Sequence, residues 1–376
     1  MRLLHTADWH IGKIVNELSM LEDQDYFLDQ LIEKLKTVKV DAVIMAGDLY
    51  DRAMPSKEAV ALANKVLTRL VQEVNVPVLV IAGNHDSNER VEYGADLLAT
   101  NQLYIEGTVK EKTRKVTIKG VNFYLMPFAD YAYIRELLQD ESIKSLEDAA
   151  RVQIEAIKKE MDPTEINVLI AHGYVINLSN DTSETTDSER PLSIGTAEYV
   201  SVELFEAFDY VALGHLHKAQ KVKHDRIRYS GSIMKYSKSE AVHKKQLSLV
   251  TLEKNHVEIE PIYIQPKRDM RVIKGLFDNI MEQKSDDYVF FELLDENFVM
   301  DAMNQLRRRY PNAMGLEYTA KKEREESSSA MHQEQLKKLS IQDIFADFYA
   351  HYKEKELTTE RKEIIDSLLH QMERGE

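Results

Sequence analysis

Three short stretches constrain this chain most: Arg2 to Thr6, Ala42 to Ala46 and Val78 to Ala82. They are short, β-rich and largely apolar, and each runs straight into a loop of metal-ligand residue types. Unbroken apolar runs of this length suit strands covered on both faces. The loops are Asp8-Trp9-His10, Gly47-Asp48-Leu49-Tyr50-Asp51 and Gly83-Asn84-His85-Asp86. Between the strands, Met20, Phe27, Leu28, Leu31 and Leu35 mark one face of a helix from Ser19 to Lys36. Ala59, Val60, Ala63, Val66, Leu67 and Leu70 do the same from Ser56 to Glu73, with Pro55 and Ser56 at its start. Strand, helix, strand, helix, strand with right-handed crossovers predicts an α/β fold, a parallel sheet whose carboxyl ends gather the three loops.

The remainder of the first two-thirds turns toward strands. Tyr104 to Gly107 and a hairpin around Lys119-Gly120 come first, and helices are expected over Tyr131 to Gln139 and Ser145 to Met161. The apolar strand Asn167 to Ala171 runs into His172-Gly173, and Asp209 to Leu213 runs into Gly214-His215-Leu216-His217. Asn177 to Arg190 is polar and aperiodic, a long loop of the kind that is usually functional or mobile. Strands over Gln246 to Leu252 and Val257 to Ile264 close the domain.

The chain has no cysteine, which excludes disulfides, thiolate metal sites and thiol catalysis together. What the loops offer is carboxylate, imidazole and carboxamide, a set that suits manganese, magnesium, iron or zinc. Seven residues make a dinuclear site. Asp8, His10, Asp48 and His217 hold one metal; Asp48, Asn84, His172 and His215 hold the other, with Asp48 bridging. Two divalent ions against two aspartates leave a charge of about +2, which attracts phosphate. Such a pair activates water and clamps the oxygens of an in-line displacement. His215 and His217 alternate on what reads as an extended segment and so share a side.

His85 follows a ligand and faces away from it, which makes it the candidate acid for the leaving oxygen. Asp86 either orients His85 or caps a turn. His5 and His224 lack a motif and read as structural, and Trp9 reads as packing beneath the metal loop. Gly47, Gly83, Gly173 and Gly214 adjoin ligands where the backbone turns sharply or approaches closely.

A net charge of -15 is unusual for a nucleic-acid partner, although His215 to Lys245 holds seven Lys and two Arg against Asp225 and Glu240 alone. The N-terminal stretch lacks the apolar core of a secretion signal, and no apolar run approaches the length of a membrane span. The expectation is a soluble cytoplasmic protein.

Taken in order, Asp-x-His, Gly-Asp, Gly-Asn-His-Asp, His-Gly and Gly-His-x-His resemble the calcineurin-like metallophosphoesterase superfamily. Longer strings narrow the resemblance: Leu4 to Gly12, Ser188-Glu189-Arg190-Pro191 with Ile194-Gly195, Tyr210 to Gln220, and Tyr229-Ser230-Gly231-Ser232 are similar to the SbcD family of nuclease subunits of bacterial SbcCD complexes. That resemblance implies a four-layer sandwich of two mixed β-sheets flanked by helices. It further implies two manganese ions on the ligands above, a double-strand exonuclease and single-strand or hairpin endonuclease acting in DNA repair and recombination, and a homodimer working with the coiled-coil ATPase SbcC. Archaeal and eukaryotic relatives carry a histidine where Asp51 stands, so no role is carried over to that position.

The resemblance also organises the chain into a phosphoesterase domain over 1–266 and a small α/β domain capping DNA over 267–320, followed by a linker over 321–336 and a C-terminal helical tail over 337–376. Met270 to Leu276 reads as an apolar helix-like stretch, followed by Tyr288 to Leu294 and Asp301 to Tyr310, with Arg307, Arg308 and Arg309 available to phosphate. Ile341, Ile344, Phe345, Phe348 and Tyr352, then Ile364, Ile365, Leu368, Leu369 and Met372, form two amphipathic helices. Too short to stand alone, they need a docking surface, and the base of the SbcC coiled coil is the expected one. A stand-alone dinuclear phosphoesterase on nucleotides or phosphoproteins, or a non-catalytic scaffold for the ATPase, are the alternatives.

Overall fold

In a computed structural model the described residues are 1–181, 183–190, 192, 199–319, 349, 358 and 361. The linker and both tail helices expected from the sequence lie outside them, as do Pro191, Ile194 and Gly195. The chain divides into two compact units. One comprises Met1–Val272, Lys284–Phe290 and Leu306–Gly315; the other comprises Ile273–Gln283, Phe291–Gln305 and the described residues from Leu316 on.

The first unit holds two six-stranded mixed sheets. In the first, Arg2–Thr6, Ala42–Ala46, Val78–Ile81 and Leu103–Glu106 run parallel, and Leu247–Glu253 and His256–Ile262 complete it antiparallel beyond Arg2–Thr6. In the second, Val121–Met126, Ile166–His172, Tyr210–Gly214 and His224–Tyr229 run parallel between the antiparallel edges Arg114–Ile118 and Gln220–Val222. Leu3, Ile44 and Leu79 of one sheet meet Phe123, Ile170 and Tyr210 of the other in a shared buried layer. The first sheet's other face takes Phe27, Leu31 and Val66 from helices Leu21–Thr37 and Lys57–Arg69. The second sheet's other face takes Ile154 and Ile157 from helix Leu146–Glu160. Four layers result, as expected. Because each central strand is covered on both faces, its side chains are buried at odd and even positions alike.

The helix starts follow their capping chemistry. Ser56 accepts a hydrogen bond from the Ala59 N–H, and Ser145 from that of Asp148. The second helix ends early, in a π turn over Leu70–Val74 closed by Asn75 in the left-handed region. Met270 to Leu276 is not helical: Met270–Gly275 is a strand of a three-stranded sheet with Tyr288–Leu293 and Ala313–Tyr318. Its adjacent β-branched Val272 and Ile273 favour strand over helix.

His5 confirms its structural reading. Its side chain lies between the sheets, fully buried, with Nδ1 at 2.8 Å from the Tyr210 hydroxyl and Nε2 at 3.2 Å from the Leu213 carbonyl. A carbonyl only accepts, so Nε2 carries the hydrogen and Nδ1 accepts from the tyrosine. Burial, with help from the Arg228 charge, pushes the imidazole pKa down to about 3. Between that value and the ordinary 6.5, the unfolded chain binds a proton that the folded chain does not, so stability falls as pH is lowered through this window. His5→Gln removes that proton and should flatten the slope by up to about 1.4 kcal/mol per pH unit. Urea unfolding at several pH values across the window checks this, and equal slopes in the two proteins would refute it.

Candidate metal centre

The first sheet delivers Asp8 and His10, Asp48, and Asn84 and His85 just past the ends of its first three parallel strands. The second delivers His172 at the end of one strand and His215 and His217 just past the end of its neighbour. The backbone there is bent out of strand geometry. Asp8, His10 and Asp48 have φ of 52°, 46° and 55°, and His215 has 113°. Such values are uncommon for residues with a β-carbon and cluster where a site over-determines them. The segment after Gly214 is therefore not extended as expected. Both rings still reach the cluster, His215 toward His172 and His217 toward His10, with centroids 5.6 and 4.9 Å apart. Gly83 is needed for close approach, because a β-carbon there would collide with an Asp48 carboxylate oxygen and with the Asp48 backbone nitrogen.

All seven ligand candidates converge. His10 Nε2 lies 3.0 Å from His217 Nε2, and Asp48 Oδ2 is 3.6 Å from both His10 Nε2 and His172 Nε2. His172 Nε2 meets Asn84 Oδ1 at 2.9 Å while its Nδ1 donates to the Ala46 carbonyl at 2.9 Å. Asp8 sits between the halves: its ligand atoms group with His10 and His217 on one side and with Asp48 and His172 on the other. It also accepts the His215 N–H. Two ring nitrogens facing each other at 3.0 Å can share at most one hydrogen between them, and His10 Nδ1 is buried with no hydrogen bond among the described residues. Divalent cations answer that arrangement, and the donors are all nitrogen or oxygen. The residues therefore fit a dinuclear site.

Electrostatics points the same way. Burial, then the neighbouring Asp48 charge, raises the Asp8 pKa well above the usual carboxylate range, and burial raises that of Asp48. Burial first, then neighbouring imidazoles, pushes His10 and His215 well down, and burial takes His172 to about 4. Both carboxylates are thus costly to charge, and His10, His172 and His215 keep the neutral form that a metal requires.

His85 faces the cluster. Its ring centroid is 4.5 Å from that of His10, and its Nε2 lies 4.0 Å from Asp48 Oδ2. What orients the ring is not the Asp86 carboxylate but the Asp51 carbonyl, 2.9 Å from Nδ1. Asp86 instead accepts the N–H groups of Leu49, Tyr50 and Gly83. This buried carboxylate ties the second and third loops together, so of its two readings the structure favours the turn residue over the orienter of His85. Trp9 is buried and donates to Thr6 Oγ1, a packing role as expected.

Several participants carry no readable signal in the sequence. Asp51 faces Lys13 at 2.8 Å and His10 at 3.9 Å. Ser188 and Glu240 contact His217 Nδ1 at 2.7 and 3.1 Å, and Glu189 accepts the His217 N–H at 2.7 Å. Of these, only Ser188 and Glu189 stand out in the sequence, and by resemblance alone. Much of the basic charge from His215 to Lys245 is locally answered: Lys218, Lys221, Lys223, Arg226, Lys235 and Lys245 are each paired with a carboxylate.

The profile of the calcineurin-like phosphoesterase family matches residues 1–219, the stretch that carries every one of these ligand candidates. The chain belongs to that family. A second profile, SbcD_C, described as the type 5 capsule protein repressor C-terminal domain, matches residues 266–353, and the two matches together support an SbcD-type nuclease subunit. Among solved structures the chain is similar to the TT1561 protein of Thermus thermophilus, at 15% identity and a TM-score of 0.39 over 69% of this chain and 98% of that one. It is also similar to a dimetal phosphatase from Danio rerio, at 11% identity and a TM-score of 0.43 over 70% and 97%. Family membership makes the chain a metal-dependent phosphoester hydrolase. No helix among the described residues is long and apolar enough to cross a membrane.

Gly83→Ala forces Asp48 aside, since a carboxylate held by the His85 N–H at 2.8 Å has little room to yield. Manganese affinity should fall by more than about tenfold, as when a ligand loses its orientation. Gly94→Ala, where a β-carbon meets nothing within 4 Å, should cost only about 1 kcal/mol of stability through its positive φ and leave affinity unchanged. Calorimetric titration with manganese distinguishes the two; equal affinity in both variants would refute the packing argument.

Proposed function

We propose that this chain is the nuclease subunit of an SbcCD-type complex, a manganese-dependent enzyme that cleaves DNA phosphodiesters at ends and hairpins as a homodimer with the ATPase SbcC. One observation carries the reading: His85 sits at the edge of the convergent ligand set in a chain whose C-terminal part matches the SbcD_C profile. Asp8, His10, Asp48, Asn84, His172, His215 and His217 would hold two divalent ions. Bound there, the metals supply a nucleophilic water and charge stabilisation for the phosphoryl oxygens.

The chain's own residues do the rest. The Asp51 carbonyl takes the His85 Nδ1 hydrogen, so Nε2 is the atom left to exchange a proton with substrate. Burial lowers the His85 pKa while the Asp48 charge opposes that, so the ring is chiefly neutral near pH 7 and gains its proton as negative charge arrives. Asp86 and the Asp48 carboxylate hold the loops by accepting their N–H groups, which fixes the His85 backbone relative to the ligands. The tail helices from Ser340 onward are proposed to dock on the SbcC coiled coil, and the SbcD_C match, reaching residue 353, supports this.

The test uses purified chain, with and without SbcC and ATP, on end-labelled duplex, a DNA hairpin and bis-p-nitrophenyl phosphate. His85→Gln should bind both ions and lose about 10²- to 10⁴-fold in kcat. Asp48→Ala should lose the metals as well, and calcium should not replace manganese because its many-oxygen preference suits imidazoles poorly. Equal metal loss in the two variants would remove His85 from the acid role, and cleavage of the small ester without any cleavage of DNA would favour a stand-alone phosphoesterase. Deleting the chain from Ser340 should spare small-ester hydrolysis while abolishing SbcC binding and ATP-dependent hairpin opening; retained binding would refute the docking role.

A further inference from the structure

His217 is anchored more heavily than the other rings of the cluster. Its N–H donates to Glu189 Oε1 at 2.7 Å, and its carbonyl accepts from Lys245 Nζ at 2.8 Å and from the Ser232 N–H at 3.1 Å. On the ring, Nδ1 meets Ser188 Oγ at 2.7 Å and Glu240 Oε1 at 3.1 Å. Glu240, on the 3₁₀ turn Lys238–Val242, is 0% exposed, and its charge is answered by Lys245, which also donates to Ser232 Oγ at 2.7 Å.

The hydrogens can be assigned. A buried glutamate balanced by lysine is ionised and only accepts, and the Ser188 hydroxyl donates to it. That leaves the serine oxygen and the second face of the carboxylate to accept one hydrogen, which must sit on His217 Nδ1. Nε2 is then the bare nitrogen, and it is the atom facing His10 and the centre of the cluster. By contrast, His172 Nδ1 is held by a strand carbonyl alone, and His10 Nδ1 makes no hydrogen bond among the described residues.

Two of the anchors, Ser188 and Glu189, come from a segment well upstream of His217, with Ser188 29 residues before it. That segment is pinned beside the site by the Asp187 N–H on Ser239 Oγ and by the Glu184 N–H on Gln220. We propose that Ser188 and Glu240 are positioning residues that fix the tautomer and direction of His217, so that docking of the 183–190 segment sets the affinity of the metal held with His10. This rests on the reading of the cluster as a dinuclear site. Neither residue touches substrate; both act through the imidazole, as partners of metal-bound histidines do.

The test is made on the full chain. In apo protein labelled with ¹⁵N-histidine, the His217 ring, identified by its loss in His217→Gln, should show the Nδ1–H tautomer. Ser188→Ala should shift that ring toward a tautomer mixture and weaken one of the two manganese ions by about 10- to 100-fold in calorimetry, leaving the other unchanged. Ser188→Thr, which keeps the hydroxyl, should restore both. Glu240→Gln should give the same selective loss, and because it leaves Lys245 buried without its counter-charge, Ser188→Ala is the deciding variant if that protein fails to fold. An Nε2–H tautomer in the apo wild type, wild-type affinity in Ser188→Ala, or equal weakening in the alanine and threonine variants would each overturn the proposal. If the wild-type chain binds no manganese, the dinuclear reading itself falls; if it binds two ions and the variants match it, only this inference falls.

Discussion

Two buried carboxylates, Asp8 and Asp48, stand close enough that the charge of Asp48 disfavours that of Asp8, and the rest of the site is arranged around answering them. Backbone supplies part of the answer. Asp8 accepts the His215 N–H, which crosses from one sheet's end to the other's, and Asp48 accepts the His85 N–H, which joins neighbouring loops. These charge-assisted bonds fix where the loops lie, but each uses only part of a carboxylate's capacity. The remaining lone pairs point at imidazole nitrogens that burial keeps neutral, so no side chain in the cluster completes the balance. A site built from groups that are individually costly to bury favours bound cations, and ligand set and loop geometry are one design.

Much of this is legible in the sequence because strands covered on both faces leave an unmistakable trace. Arg2–Thr6 and Ala42–Ala46 end where the sequence predicts, since their apolar runs stop where ligand-rich loops begin. The second sheet is less readable, since the edge pair Gln220–Val222 and His224–Tyr229 is polar and short and lacks that contrast. Met270 to Leu276 misleads for a related reason: six or seven residues of mixed polarity fit either period, and pairing with other strands decides it.

Site residues divide along the same line. Ligands stand out because they sit at strand ends in recurring pairs with glycine. Their supports do not, because nothing local distinguishes Glu240 from any other glutamate in a basic stretch or Asp51 from a loop residue. Asp86 shows the limit from the opposite side. Its place beside His85 suggests a catalytic pair, but adjacent residues diverge in direction, and its carboxylate turns to three backbone N–H groups of neighbouring loops instead.

The distribution of charge bears on how so acidic a chain could meet a polyanion. Local sequence makes His215 to Lys245 look like a basic face, yet among the described residues the fold pairs five of its seven lysines with carboxylates, including Lys245 with buried Glu240 and Lys223 with Glu203 and Glu206. Paired cations release few counterions on binding phosphate, so they add little non-specific affinity. Attraction for a phosphoester is thereby concentrated at the cluster, where two divalent ions would outweigh the charge of the two aspartates.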